Sequence, residues 1–166
     1  IDLSGSMGGQ KIRVARDAAV AFSECLEGTQ IRYQISGFDN GGDNDSLDRL
    51  VREARKGSKK YHRYEPLNLF KFKDFNQSLQ LAKGSVAAIS ECSSGNNSDR
   101  DAVVWAYHEL LQRPEKRKIL FVLSDGQPAN ATINVDEYSA RGPLVLGLKN
   151  AIDECGQNGV ECVGIG

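Results

Sequence analysis

The feature that most constrains the fold is an uninterrupted apolar run at residues 119–123, Ile-Leu-Phe-Val-Leu, which Ser124, Asp125 and Gly126 follow at once. A strand that is apolar on both faces has to be covered on both faces, which is typical of a central strand in a parallel sheet. Neighbouring parallel strands need long crossover connections, most often helices. We therefore expect strands and helices to alternate along the chain.

The rest of the sequence supplies that alternation. Apolar residues recur at spacings of three and four where helices are predicted, and they alternate with polar residues or form short runs where strands are predicted. The predicted helices cover residues 11–27, 47–56, 77–91, 101–113 and 143–155, and the predicted strands cover residues 30–38, 67–72, 119–123 and 160–166. This order predicts an α/β fold with a doubly wound, Rossmann-like, mostly parallel sheet and helices on both faces.

Composition excludes several classes of function. The chain has 166 residues, 40% of them hydrophobic, and 21 Lys and Arg stand against 22 Asp and Glu. This length is typical of one domain with its own core. A formal charge of −1 provides no basic field for nucleic acid or an anionic membrane, and no apolar stretch approaches the roughly 20 residues that span a bilayer. We expect a single cytoplasmic domain over residues 1–166, cut from a longer chain because both ends lie in expected strands.

Several features outside the polar clusters have ordinary explanations. The cysteines show no C-x-x-C spacing, so we expect buried, reduced thiols. A Cys155–Cys162 disulfide is the less favoured alternative. The basic segment 56–64, with interleaved tyrosines, is typical of a solvated loop, although such a pattern can also hold single-stranded nucleic acid or an acidic partner. Trp105, on the predicted helix 101–113, is expected to anchor the core.

Three polar clusters flank the predicted elements. Residues 2–6, Asp-Leu-Ser-Gly-Ser, and residues 124–126, Ser-Asp-Gly, follow strands, and residues 96–99, Asn-Asn-Ser-Asp, precede the helix at 101. Ligands of doubly wound sheets bind at the carboxyl ends of the strands, where strand order reverses. The clusters offer carboxylates, hydroxyls and an amide with no histidine or thiolate, a donor set that suits Mg²⁺, or else Mn²⁺ or Ca²⁺.

The spacing of the first cluster suggests how it could work. In D-x-S-x-S on a loop leaving a strand, alternate side chains can converge on one point, and Gly5 allows a tight turn. Asp125 approaches the same point from a neighbouring strand. An ion held by these oxygens keeps one open coordination position, which a carboxylate from a partner protein can fill.

These residues carry a resemblance to a known family. Residues 2–7, D-L-S-G-S-M, with Asp125 after an apolar strand, resemble the metal-ion-dependent adhesion site of von Willebrand factor A domains. Within that superfamily the chain is similar to the C-terminal domain of the CobT subunit of aerobic cobaltochelatase. The likeness lies in D-A-V-V-W-A at 101–106, L-L-x-R-P-E-x-R-x-I-L at 110–120, V-x-S-D-G-x-P at 122–128 and the segment 67–75. It implies a CobS-like AAA+ ATPase partner and an ATP-driven machine that inserts cobalt into a corrin ring.

The resemblance also implies roles for individual residues. Asp2, Ser4, Ser6 and Asp125 match the metal ligands of the adhesion site, and a further ligand, usually Thr, is replaced here by either Asn97 or Asp99. The residues expected to contact a partner are Gly5, Met7, Gly126 and Gln127. The domain is then a binding module for an acidic side chain of its partner, with ATP hydrolysis left to the other subunit.

The same residues allow other functions. The clustered Asp and Ser side chains could merely cap helices and close turns. A phosphate-binding loop is excluded because Lys11 is followed by Ile12, and a phosphohydrolase with Asp2 as nucleophile would need a second acid where the chain has Ser4. An adaptor for a different AAA+ machine, for instance a phage-encoded one, is a further alternative.

Overall fold

The computed structural model describes residues 1–40, 53, 56, 67–92, 94–126, 128 and 141–166. Within these ranges the strands are β1 (Ile35–Asp39), β2 (Asn68–Lys73), β3 (Lys118–Leu123) and β4 (Val160–Ile165). The helices are α1 (Gln10–Leu26), α2 (Leu79–Ala87), α3 (Asp99–Leu111) and α4 (Arg141–Gln157), and short 3-10 turns cover Gly5–Met7 and Ala88–Glu91. The predicted helix 47–56 and the basic segment 56–64 lie outside the described residues, apart from positions 53 and 56.

Residues 1–3 join two strand pairs into one arrangement. β1 pairs with β2 in antiparallel orientation, and β3 pairs with β4 in parallel. The amide of Leu3 donates to the carbonyl of Phe38 at 2.8 Å, and the amide of Asp2 donates to the carbonyl of Leu123 at 2.8 Å. The spatial order is therefore β2, β1, residues 1–3, β3, β4, in which the winding direction reverses between residues 1–3 and β3. This doubly wound order confirms the predicted fold class, with β2 as an antiparallel edge.

Helices cover both faces of this sheet, as predicted. On one face, α1 and α2 bury Ile12 and Val86 against Leu3 and Phe72. On the other face, Tyr107 of α3 and Cys155 of α4 pack with Val160, Leu120 and Val122. Because side chains alternate along a strand, Phe121 points to the first face, where its ring lies 5.5 Å from that of Phe22 in α1. Phe121 is 45% exposed, so β3 is less fully covered than its apolar sequence predicts.

The element boundaries differ from the predictions at two informative places. The strand predicted from residue 30 begins only at Ile35, because the preceding backbone is held elsewhere: Ile31 donates to the Thr29 hydroxyl, and the carbonyl of Tyr33 accepts from the ammonium of Lys73 at 3.0 Å. The helix predicted from residue 101 already begins at Asp99, because the carbonyl of Ser98 accepts the amides of Asp101 and Ala102. Asp99 thereby moves from a loop into the first helical turn.

The predictions for cysteines and Trp105 are only partly confirmed. All four cysteines are free, and Cys155 is buried, but Cys25 is exposed. Trp105 is half-buried, with the Lys71 ammonium 5.6 Å from its ring centroid, so it packs at the surface instead of anchoring the core. No helix in the described ranges is both long and apolar enough to cross a membrane.

Gly37 in β1 packs closely against the side chains of Leu3 and Phe72, and a substitution there tests this packing. A Cβ atom at Gly37 would lie 2.6 Å from Cδ1 of Leu3 and 2.8 Å from Cε2 of Phe72, both in buried side chains. We expect Gly37→Ala to lower the free energy of unfolding by about 1–3 kcal/mol in urea titrations. Gly84→Ala, in α2 where nothing lies within 4 Å of the added atom, should instead raise it by about 0.5–1 kcal/mol. Similar values for the two variants would contradict this packing.

Candidate metal centre

The three polar clusters meet where the strand order reverses. The loop at residues 2–6 leaves the sheet beside the end of β3, and Asp125 lies two residues beyond that end. Two backbone hydrogen bonds attach the loop before α3: Ser94 donates to the carbonyl of Leu3 at 2.9 Å, and Gly5 donates to the carbonyl of Gly95 at 3.0 Å. Backbone hydrogen bonds alone thus hold together segments that are far apart in the sequence.

Asp2 is the buried anchor of the centre. Its side chain is 0% exposed. Its Oδ1 accepts from the amide of Ser4 at 2.8 Å, and its Oδ2 accepts from the hydroxyl of Ser124 at 2.9 Å and the amide group of Asn97 at 3.4 Å. Since both oxygens are engaged, the carboxylate holds all three clusters in place.

A chain of oxygens runs from Ser4 to Asp125. The Oγ atoms of Ser4 and Ser6 lie 3.0 Å apart, and the Ser6 hydroxyl donates to Oδ1 of Asp125 at 3.1 Å. Mg²⁺ holds six oxygens at about 2.0–2.1 Å in an octahedron, so adjacent ligand oxygens lie about 3 Å apart. The three oxygens therefore have the spacing of neighbouring ligands around one such ion.

Asn97 and Asp99 differ in what they offer a cation. The Nδ2 group of Asn97 donates to Oδ2 of Asp99 at 3.0 Å as well as to Asp2, so this amide links two carboxylates. Asp99 is 3% exposed, and its Oδ1 is buried without a hydrogen-bond partner. Burial, then the charge of Asp2, then that of Asp125 raise the pKa of Asp99 to about 7. A buried oxygen without a partner calls for an explanation, of which a bound water or cation is one.

Lys11, in the first turn of α1, contacts the outer side of the centre. Its ammonium donates to Oδ2 of Asp125 at 2.7 Å, while Oδ1 of the same carboxylate faces Ser6. This hydrogen bond, helped by the one from Ser6, lowers the pKa of Asp125 below its usual range. Asp125 is therefore ionised and oriented at neutral pH.

The donor set fits a hard divalent ion that binds through hydroxyls as well as carboxylates. Within the described residues, no three Asp, Glu, His or Cys side chains gather closely enough to hold a metal by themselves. An ion here would need the serine hydroxyls, and it would satisfy the orphaned oxygen of Asp99. Carboxylates with hydroxyls suit Mg²⁺ or Mn²⁺, whereas zinc prefers nitrogen and sulfur.

The residues expected to contact a partner are placed differently from one another. Gly5 and Gly126 are exposed at the rim, and Gly126 has φ +102°, which favours glycine. Met7 differs from them: the 3-10 turn folds its side chain into the core, where it is 4% exposed. Gln127 lies outside the described residues. Gly5 has no positive φ, so the tight turn does not depend on glycine there.

Sequence reasoning assigned no supporting role to three residues around the centre. Ser124 holds Asp2, and its position directly before Asp125 at a strand end was the available signal. Asn40 fixes the loop before α3: its amide group donates to the Ser98 hydroxyl at 2.6 Å and its Oδ1 accepts from the Ser98 amide at 3.1 Å. Its place at the end of β1 hinted at this role. Nothing in the local pattern pointed to Lys11, which lies 114 residues from Asp125.

A doubly wound sheet with D-x-S-x-S at its switch point and an aspartate beyond the neighbouring strand defines a von Willebrand factor A domain. A model of the family described as "Cobalamin biosynthesis protein CobT VWA domain" matches residues 1–165. The chain belongs to this family, and with it to a CobT-like role in cobalamin biosynthesis. No solved structure matches the chain.

Proposed function

We propose that this domain binds Mg²⁺ at the switch point and uses the ion to bind an acidic side chain of a partner protein. The observation that carries the proposal is the row of oxygens on Ser4, Ser6 and Asp125, spaced 3.0 and 3.1 Å apart. When bound, the ion supplies an electrophilic coordination position for an incoming carboxylate. The chain's own residues would hold the ion and leave one coordination position open on its outer side.

The burial and contacts of each residue suggest how the work is divided. The ligand candidates are Ser4, Ser6 and Asp125, whose oxygens lie in a row. Asp99 joins them because one of its buried oxygens has no hydrogen-bond partner. Asn97 acts as a positioning residue, since its amide donates to the carboxylates of Asp2 and Asp99. Asp2 acts mainly by charge and by holding the Ser4 backbone. For the position that the sequence left open we therefore propose Asp99, with Asn97 as its positioning residue.

Membership of the CobT family supports a particular partner. We propose that the domain serves a cobaltochelatase subunit that works with a CobS-like AAA+ ATPase, which hydrolyses ATP and drives insertion of cobalt, the cargo, into a corrin ring. An adaptor role in another AAA+ machine would use the same metal-dependent contact.

The rival function of a phosphohydrolase fits the site poorly. A nucleophilic aspartate must reach the substrate's phosphorus, but Asp2 is 0% exposed and both its oxygens accept hydrogen bonds from the protein. Magnesium-dependent hydrolysis of a phosphoester by the isolated domain, lost in Asp2→Asn, would favour that rival.

Binding to the purified AAA+ subunit encoded in the same genome tests the proposal. We expect the wild-type domain to bind the ring in Mg²⁺ and to dissociate in EDTA, and Ser4→Ala to weaken binding by about ten-fold or more because a ligand is lost. Ser90→Ala, a substitution on the 3-10 turn at Ala88–Glu91, is the matched control. Equal binding in Mg²⁺ and in EDTA would overturn the proposal. Metal-dependent binding only to a different AAA+ protein would keep the metal contact and reject the chelatase role.

A further inference from the structure

The charge balance of the proposed centre is unusual, and the next inference rests on the proposed function. Asp2, Asp99 and Asp125 contribute three carboxylates to one hydrogen-bonded network: Asn97 donates to Asp2 and Asp99, and Ser6, whose Oγ lies 3.0 Å from that of Ser4, donates to Asp125. A divalent ion would leave this group with one negative charge. An anionic centre repels an incoming carboxylate, because like charges a few ångströms apart interact unfavourably even near a protein surface.

Lys11 supplies the missing positive charge. Its ammonium lies 2.7 Å from Oδ2 of Asp125, and its side chain is 58% exposed against 18% for Asp125. The cation therefore lies on the solvent side, from which a partner must approach. Among the ion pairs of the described residues, none but this one involves Asp2, Asp99 or Asp125. Arg100, adjacent to Asp99 in the chain, pairs with Asp101 instead.

The geometry lets Lys11 act without taking the place of the ion. Lys11 uses Oδ2 of Asp125, whereas Oδ1 is the atom that faces Ser6. A lysine that competed for the metal position would have to contact the inner oxygen or the serines. The two oxygens of Asp125 are thus divided between an inner and an outer cation.

We propose that Lys11 is a specificity-determining residue, which neutralises the charge added by Asp99 and so allows the metal-loaded centre to accept a carboxylate. Asp99 and Lys11 then form a compensating pair. Asp99 makes the centre hold its ion more tightly, and Lys11 restores the attraction for an acidic ligand that the extra carboxylate would remove.

A double-mutant cycle on the whole 166-residue chain tests this assignment. The probes are MnCl₂, whose affinity is measured by calorimetry, and sodium acetate, whose binding to the Mn²⁺-loaded protein displaces metal-bound water and lowers water-proton relaxation. We expect Lys11→Met to bind Mn²⁺ at least as tightly as wild type but to bind acetate about ten-fold more weakly. Asp99→Asn should weaken Mn²⁺ binding, and the double variant should recover most of the acetate affinity at saturating Mn²⁺.

The controls separate this inference from the function on which it rests. Lys83→Met removes an exposed lysine of α2 and should change neither affinity. Lys11→Arg keeps the charge and should retain acetate binding. If wild type binds no Mn²⁺, the proposed function fails together with the inference. If wild type binds Mn²⁺ and acetate, but Lys11→Met binds acetate equally well or the double variant shows no recovery, the role of Lys11 alone is overturned.

Discussion

Asp125→Ala is expected to reduce the affinity for Mg²⁺ and Mn²⁺ by on the order of 100-fold or more, with little change in the free energy of unfolding. Asp125 supplies the carboxylate oxygen 3.1 Å from Ser6 Oγ, at the rim beyond the end of β3. Its removal leaves two hydroxyls and more distant charges, which hold a divalent ion weakly. The partners that lose a bond, Ser6 and Lys11, are exposed to water and can be solvated, so the fold should persist.

Calorimetric titration with MnCl₂ measures this effect. Asp17→Ala is the matched control, because Asp17 is also an aspartate in a 2.7 Å ion pair, with Arg16 on α1, but lies away from the centre. The control should bind Mn²⁺ as wild type does. Wild-type affinity in Asp125→Ala would show that any metal bound by this domain is held elsewhere.

Asp99→Asn is expected to change how the stability of the metal-free domain depends on pH. The pKa of Asp99 is raised to about 7 by burial and by neighbouring carboxylates. A raised pKa means that the folded state binds this proton more tightly than the unfolded state does. The contribution of this proton to the free energy of unfolding is complete below the pKa of the unfolded state, about 4. It is lost as the pH rises through the pKa of the folded state, which lowers the free energy of unfolding by up to about 4 kcal/mol.

Urea unfolding in EDTA between pH 4 and 8 measures this dependence. Because asparagine does not ionise, the stability of Asp99→Asn relative to wild type should rise across that window by up to the same amount, about 4 kcal/mol. Adding Mg²⁺ at pH 8 should stabilise wild type and have much less effect on the variant. Asp101→Asn, in the same helical turn but paired with Arg100, is the matched control and should keep the wild-type response to Mg²⁺. A constant difference between Asp99→Asn and wild type at every pH would contradict the account of this carboxylate.

The sequence predicted those parts of the fold that depend on local pattern. Periodic apolar residues identified α1 and α2, and the apolar run marked β3. The winding order could not be derived this way, because it depends on hydrogen bonds between residues 1–3 and strands that lie far along the chain. The strand predicted from residue 30 begins only at Ile35, because Lys73, distant in sequence, donates to the carbonyl of Tyr33.

The candidate site also has some residues that local sequence pattern predicts and others that depend on distant contacts. Asp2, Ser4, Ser6 and Asp125 could be chosen because each follows a strand end in a recognisable pattern. Our proposal of Asp99 over Asn97 needed the structure, because the sequence shows neither that α3 begins at residue 99 nor that the Asp99 side chain is buried. The burial of Met7 could not be predicted, because the 3-10 turn that buries it has no strong sequence signal.

Anomalous diffraction from crystals of the Mn²⁺-loaded domain tests the central claim most directly. We expect a single strong peak at the switch point, within about 2.1–2.2 Å of the hydroxyl oxygens of Ser4 and Ser6, with Asp125 and Asp99 turned toward it. A peak bound by other residues, or no peak between Asp2 and Asp125 at saturating Mn²⁺, would contradict a metal-dependent binding site in this domain.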